Sequence, residues 1–148
     1  MRKGEKGISL IEVLIALAVL GIVAVSFLMA TNTATKAIFI ADEKATAESI
    51  ARSQLEYVRQ QGYITAEING EATYLEITGY QDGYSIWSVD RNDDTDNPVE
   101  GVLTIPWDSE DNEAVSEDVG LQRIKLIVKH YDSTVLIIEG YKVDEGVY

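Results

Sequence analysis

The chain has 148 residues, with 12 Lys and Arg against 25 Asp and Glu and a formal net charge of −13. That length predicts one domain plus an anchor, and so acidic a soluble part repels phosphate backbones, which excludes nucleic acid as its partner. With no Cys and a single His, the chain has no thiol nucleophile and no disulfide, and cannot form a zinc site of the usual His/Cys make-up.

The N-terminus comes first. Ile8–Ala30 is an apolar run of 23 residues in which Glu12 is the only ionisable side chain. As a helix it reaches roughly 34 Å, enough to cross a ~30 Å hydrocarbon core. A carboxylate deep in such a segment costs about 2.5–3.5 kcal/mol on insertion scales, so Glu12 needs a role. Arg2, Lys3 and Lys6 flank the short side of the run. They keep that side cytoplasmic and place everything after about Thr31 outside.

Two ordinary readings fit poorly. A cleaved secretory signal has an apolar core of about 7–15 residues, and the small-residue pair Ala16 and Ala18 would put its cut in mid-run. A plain anchor with Glu12 snorkelling to the headgroups, near the helix N-terminus, leaves the spacing between Gly7 and Glu12 as coincidence.

The segment KGISLIEVLIALAVLGIVA resembles the class III signal of type IV prepilins and type II secretion pseudopilins. The resemblance implies cleavage by a prepilin peptidase between Gly7 and Ile8, N-methylation of Ile8 by the same enzyme, and an assembly role for Glu12. Gly21 matches a glycine often seen further along such runs. Ile8 stands where Phe is usual, and Met29 stands where many major pilins carry Pro, which points to a minor pilin or an I-type-like minor pseudopilin.

The organisation implied is a leader at 1–7, a transmembrane and assembly helix at 8–30, and an extracytoplasmic pilin-like domain at 31–148. The partners implied are other pilin or pseudopilin subunits, the prepilin peptidase, an inner-membrane platform with its ATPase, and membrane lipid before assembly. The chain would start in the inner membrane as a single-pass protein and end in an extracellular or periplasmic filament. Cleavage would create an α-ammonium at Ile8, which Glu12 of a staggered neighbour, or of the same chain, could pair with in a low dielectric.

From Thr31 to Gln61 there is no Pro or Gly, and helix formers are plentiful. Ala47, Ala51, Leu55 and Val58 recur at helical spacing as one apolar stripe. A single helix from about Ser9 to Gln61, roughly 80 Å long, is predicted, with Gly62 as its C-cap.

Beyond Gly62 the period becomes two. Tyr63–Ile68 and Thr73–Thr78 flank Asn69-Gly70, a hairpin signal. Gly83–Val89 and Val99–Ile105 read as further strands. Leu121–Tyr131 alternates, with Gln122, Ile124, Leu126, Val128 and His130 on one face. Asp132-Ser133 turns the chain, and Thr134–Val143 returns. The expected fold class is α+β, a long helix packed on a small antiparallel sheet.

Asp90, Asn92, Asp94 and Asp96 place oxygen ligands at alternate positions, as at the start of a calcium loop. Thr95 stands where such a loop needs Gly, and Gly101 where a closing Glu is required. A solvated loop is the competing reading, with Asp93 facing water in either case. Calcium is therefore the one cofactor the sequence raises. Residues 90–118 hold 11 acids and one base, Arg91. They read as an exposed loop or as a docking surface for a basic partner. His130 reads as a turn-edge side chain. No arrangement of residues supports an enzyme. Two other function classes stay open: a filament-tip module whose acidic loops bind a substrate or surface, and a bitopic membrane sensor that never polymerises.

Overall fold

The computed structural model describes residues 9–80 and 83–146. The chain divides into two compact units, Met1–Asp42 and Glu43–Tyr148. One helix, α1 (Leu10–Gln60), makes up almost all of the first unit as described and opens the second.

In the first unit every α1 residue from Leu10 to Asp42 is exposed. The helix forms there by local rules: only Gly21 interrupts a run of helix-compatible residues. Its hydroxyls do not compete with the backbone ladder. Ser26, Thr31, Thr33 and Thr35 each donate to the carbonyl four residues back, at 2.8–3.0 Å, which satisfies them on a helix surface that offers no other partner. The Glu12 and Val13 N–H groups close the first turn on Ser9 O.

In the second unit the sheet has seven strands. They are β1 (Ala72–Tyr74), β2 (Tyr84–Ser88), β3 (Val99–Glu100), β4 (Val102–Asp108), β5 (Glu113–Ala114), β6 (Leu121–His130) and β7 (Ser133–Val143). All pairings are antiparallel. β6 is the hub. One edge pairs with β7 along its whole length, and the other takes β4 at Gln122–Ile124 and β2 at Leu126–His130.

The C-terminal part of α1 buries Ala47, Ala51, Gln54, Leu55 and Val58, and the stripe expected from spacing is there. Leu55 and Val58 share a core with Tyr74, Ile86, Val102, Ile124 and Leu126, while Ala47 and Ala51 pack with Val128. Gln122, Ile124, Leu126 and Val128, one face of β6 by alternation, are all buried, and Arg123 and Ile127 on the other face are buried as well. Gly140 lets the β7 backbone approach α1: a Cβ there would sit 2.9 Å from Leu55 Cδ2. The architecture is α+β and pilin-like, a long N-terminal helix with an antiparallel sheet.

Four local expectations are corrected. Tyr63–Ile68 is not a strand, so the hairpin around Asn69-Gly70 does not form. The chain does turn here, one residue earlier, at Ile68-Asn69, with Asn69 at φ 56 and Gly70 N–H donating to Glu67 O, and β1 pairs with β4 instead. Side chains satisfy the Tyr63–Ala66 backbone: Tyr74 Oη accepts from Ile64 N–H, Gln122 Nε2 donates to Ile64 O, and Asp118 accepts from Ala66 N–H.

The strand expected over Val99–Ile105 is split by Gly101 at φ 98. This left-handed residue lets the chain leave β2 and join β1 and β6. Gly62 is not among the residues with positive φ, so it is not a left-handed cap. Lys142 Nζ does that work, donating to Val58, Arg59 and Gln61 carbonyls at 2.8, 3.2 and 2.6 Å. A cation is favoured at a helix C-terminus. The final hairpin turns at Tyr131-Asp132, with Tyr131 at φ 51.

Candidate functional site

Gly7 and Ile8 lie outside the described residues. Glu12 sits in the first turn of α1, exposed, at the foot of a shallow groove lined by Val13, Ala16, Leu17 and Leu20. Along the same helix Leu10, Ile11, Leu14, Leu17, Leu20, Ile22 and Phe27 are all more than 60% exposed. An apolar surface of this extent cannot be left to water. α1 is long and apolar enough to cross a membrane. Glu12 has no ion-pair partner among the described residues.

The acidic loop is turned in on itself. Asp90 accepts from Asn92 N–H and Asn92 Nδ2, both at 3.0 Å. Asp94 accepts from Asp96 N–H, Asn97 N–H and Asn97 Nδ2. Those bonds hold the Asp94 carboxyl below its ordinary pKa. Asp96 takes part through its backbone. Among the described residues no three His, Cys, Asp or Glu side chains come together as a metal cluster.

Asp93 is exposed, as expected, and it also anchors this loop. It adopts φ 57 and accepts from Arg123 Nη2 at 3.2 Å and from Lys125 Nζ at 2.9 Å. Arg123 is almost fully buried, with its guanidinium 3.9 Å from the centroid of the Trp107 ring. Its Nε has no hydrogen-bond partner among the described residues. The sequence did place Arg123 and Lys125 on one strand face; nothing local pointed to Asp93 as their counter-ion.

Asp118 is a second convergence that sequence reasoning missed. Its carboxylate accepts from Tyr63 Oη–H, Ala66 N–H, Gly120 N–H and Gln122 Nε2. Burial raises its pKa, but the bonds from Tyr63, Ala66, Gln122 and Gly120 outweigh this, and the net shift is downward. The partner effect on Tyr63 is upward, through burial first and then the Asp118 bond. Gln122 continues the network to Thr104 and Tyr74. Every donor around the carboxylate is matched, so the cluster holds the fold and leaves no group free for chemistry. Tyr80, bonded to Gln54 Oε1 at 2.8 Å, is pushed up to about 12 by burial and then by Glu76.

His130 is more than a turn-edge residue. Its Nδ1 lies 2.6 Å from Glu43 Oε1, and its ring stacks on Tyr84 at 4.3 Å between centroids. It ties the end of β6 to α1.

Residues 2–28 match the family described as "Prokaryotic N-terminal methylation motif". No curated protein and no solved structure matches the chain. The matched residues include Gly7, Ile8 and Glu12 and run through most of the exposed apolar part of α1. This is a type IV pilin-like signal, of the kind that a prepilin peptidase processes. Together with the membrane-length helix it fits anchoring in the inner membrane. The chain therefore carries a type IV pilin-like processing and methylation signal at the head of a pilin-like α+β fold.

Proposed function

We propose that this chain is a minor pilin or pseudopilin, cut between Gly7 and Ile8, methylated at Ile8, and built through α1 into a type IV pilus or type II secretion pseudopilus. The observation that carries the reading is the methylation motif over residues 2–28 running directly into a helix exposed on every side to Asp42. Lipid covers such a surface before assembly, and neighbouring helices cover it afterwards. Glu12 fixes the stagger by meeting the α-ammonium of Ile8 on an adjacent copy. In a medium that solvates neither charge, the pair is far more stable than either ion alone. The acidic second unit lies outside the cytoplasm, and the peptidase, platform and ATPase of the assembly machine are its partners.

Mass spectrometry of the mature N-terminus tests processing: the expected species begins at Ile8 with one added methyl group, and an intact Met1 terminus refutes it. Glu12→Ala tests assembly. We expect at least a tenfold loss of incorporation with processing retained. Incorporation at the wild-type level refutes the role of Glu12.

A further inference from the structure

α1 carries a second exposed apolar group that the methylation motif does not reach. Ile38, Phe39 and Ile40 are 68%, 69% and 56% exposed. The first group, Leu10–Met29, spans about 30 Å, the thickness of a hydrocarbon core. Ile38 begins about 13 Å beyond Met29, past the reach of the lipid tails that cover the first group. Lys36 borders this second group. In the first unit, between Glu12 and Asp42, it is the only charged residue.

The two stretches match in register. Phe39 and Ile40 follow Lys36 by three and four residues, and Ile15 and Ala16 follow Glu12 by three and four. Residues three and four apart share a helix face. Ile40 therefore stands about 6 Å above Lys36 as Ala16 stands about 6 Å above Glu12, on the corresponding faces, with Phe39 beside Ile40 about 4.5 Å above Lys36. Ala16 is the small residue in the groove lined by Glu12, Val13, Leu17 and Leu20, a hole of the kind that receives a large side chain from a facing helix. Neither Glu12 nor Lys36 has an ion-pair partner among the described residues. Within one chain they cannot meet, because 24 residues of the same helix hold them about 36 Å apart.

We propose that Lys36 of one copy pairs with Glu12 of a second copy raised about 36 Å along the helix axis, and that Phe39 and Ile40 of the lower copy fill the Ala16 groove of the upper one. The charge match selects the copy, and the apolar match fixes its rotation. A carboxylate has two oxygens, so Glu12 can accept from Lys36 of one neighbour and the Ile8 ammonium of another. The inference rests on the subunit reading above and adds to it a specific contact between the matched motif and a stretch beyond it.

The chain has no Cys, so introduced thiols report without background. Full-length Ala16→Cys and Ile40→Cys copies carrying different tags are co-expressed and oxidised in assembled material. A crosslink joining the two tags is expected at more than ten times the level of either variant alone. Lys36→Glu and Ala16→Phe should each lower incorporation more than tenfold, while Lys36→Arg keeps it. In each case the unassembled chain should still begin at Ile8. Wild-type incorporation of both disruptive variants overturns the inference, as does crosslinking confined to Ile40→Cys with itself. Quenching of a dye on Ile40→Cys by brominated lipid tails in assembled material also overturns it, by making lipid the occupant. If processed wild-type chain assembles and these variants do not matter, this contact alone is wrong. An uncut wild-type chain that never assembles removes the subunit reading and this contact with it.

Discussion

Asp118→Asn tests the hydrogen-bond network that replaces a strand at Tyr63–Ala66. One carboxylate oxygen accepts from Tyr63 Oη–H and Gly120 N–H, the other from Ala66 N–H and Gln122 Nε2. In Asn one of these positions becomes an NH2; facing Ala66 N–H and Gln122 Nε2 it loses two bonds, and facing Tyr63 and Gly120 it loses one, because the Tyr63 hydroxyl can turn to accept. Each bond to a charged acceptor contributes about 1.5–3 kcal/mol. Asp118 is only partly buried, and water softens the loss, so about 3 kcal/mol is expected. That corresponds to a fall in Tm of roughly 12–24 °C for a unit of this size.

The pH dependence has a definite sign. The folded pKa of Asp118 lies below its ordinary 3.8, so its contribution is present above about pH 3.8 and is lost as pH falls through the folded value. The gap between wild type and variant should therefore be widest near pH 7 and shrink below pH 4. Thermal melts of the full chain in detergent micelles, followed by Trp emission, read both effects. A variant that melts within about 2 °C of wild type at pH 7, or a gap unchanged at pH 2.5, refutes the account.

Two further substitutions probe contacts of the same unit. Gly140→Ala places a methyl 2.9 Å from Leu55 Cδ2 and should destabilise by about 1–3 kcal/mol through overpacking; combined with Leu55→Val the loss should be less than the two singles together, and strict additivity argues against the contact. Asp93→Asn leaves the buried Arg123 guanidinium without its carboxylate. Asp93 itself is 43% exposed at the side chain, so the expected loss is about 1 kcal/mol, with a shift in Trp emission as Arg123 moves on the Trp107 ring. An unchanged melt and spectrum would show that the loop is held by other means.

What the sequence made legible follows the range of each interaction. α1 was readable because its signals are local: no Pro, one Gly, and apolar residues first all round and then on one stripe. β6 and β7 were readable because one face of a long strand must be buried, and Ile124, Leu126 and Val128 alternate accordingly. The turn near Asn69 was also local, and one formed, shifted by one residue to Ile68-Asn69. What it joins was not local. Tyr63–Ala66 takes its bonds from Asp118 and Gln122, more than fifty residues away, and no hairpin rule sees such partners. The pairing of the exposed Asp93 was hidden for the same reason: among several neighbouring acids, only the fold determines which one meets Arg123 and Lys125. The N-terminal signal was legible because Gly7, an apolar run and a lone Glu12 fall in one short stretch; the exposure of Ile38–Ile40 was not, because these residues read as ordinary helix.

The position of Glu12 bears on the choice between an anchor and a subunit. An isolated anchor gives the carboxylate only headgroups and water at the membrane edge, and there the helix N-terminus favours it by a few tenths to about 1 kcal/mol. Such an anchor would work as well with Gln or Ser in its place, and it makes no use of the apolar residues Ile38–Ile40 standing in water. An assembled helix removes Glu12 from water, where an unpaired carboxylate becomes prohibitive, so every neighbour must then supply a cation at the right level. On the proposed reading the first unit would offer two, Lys36 and the ammonium that cleavage would expose at Ile8. On that reading, a carboxylate tolerated in lipid and satisfied only between copies would penalise every misaligned packing and so give an otherwise featureless apolar helix a single register.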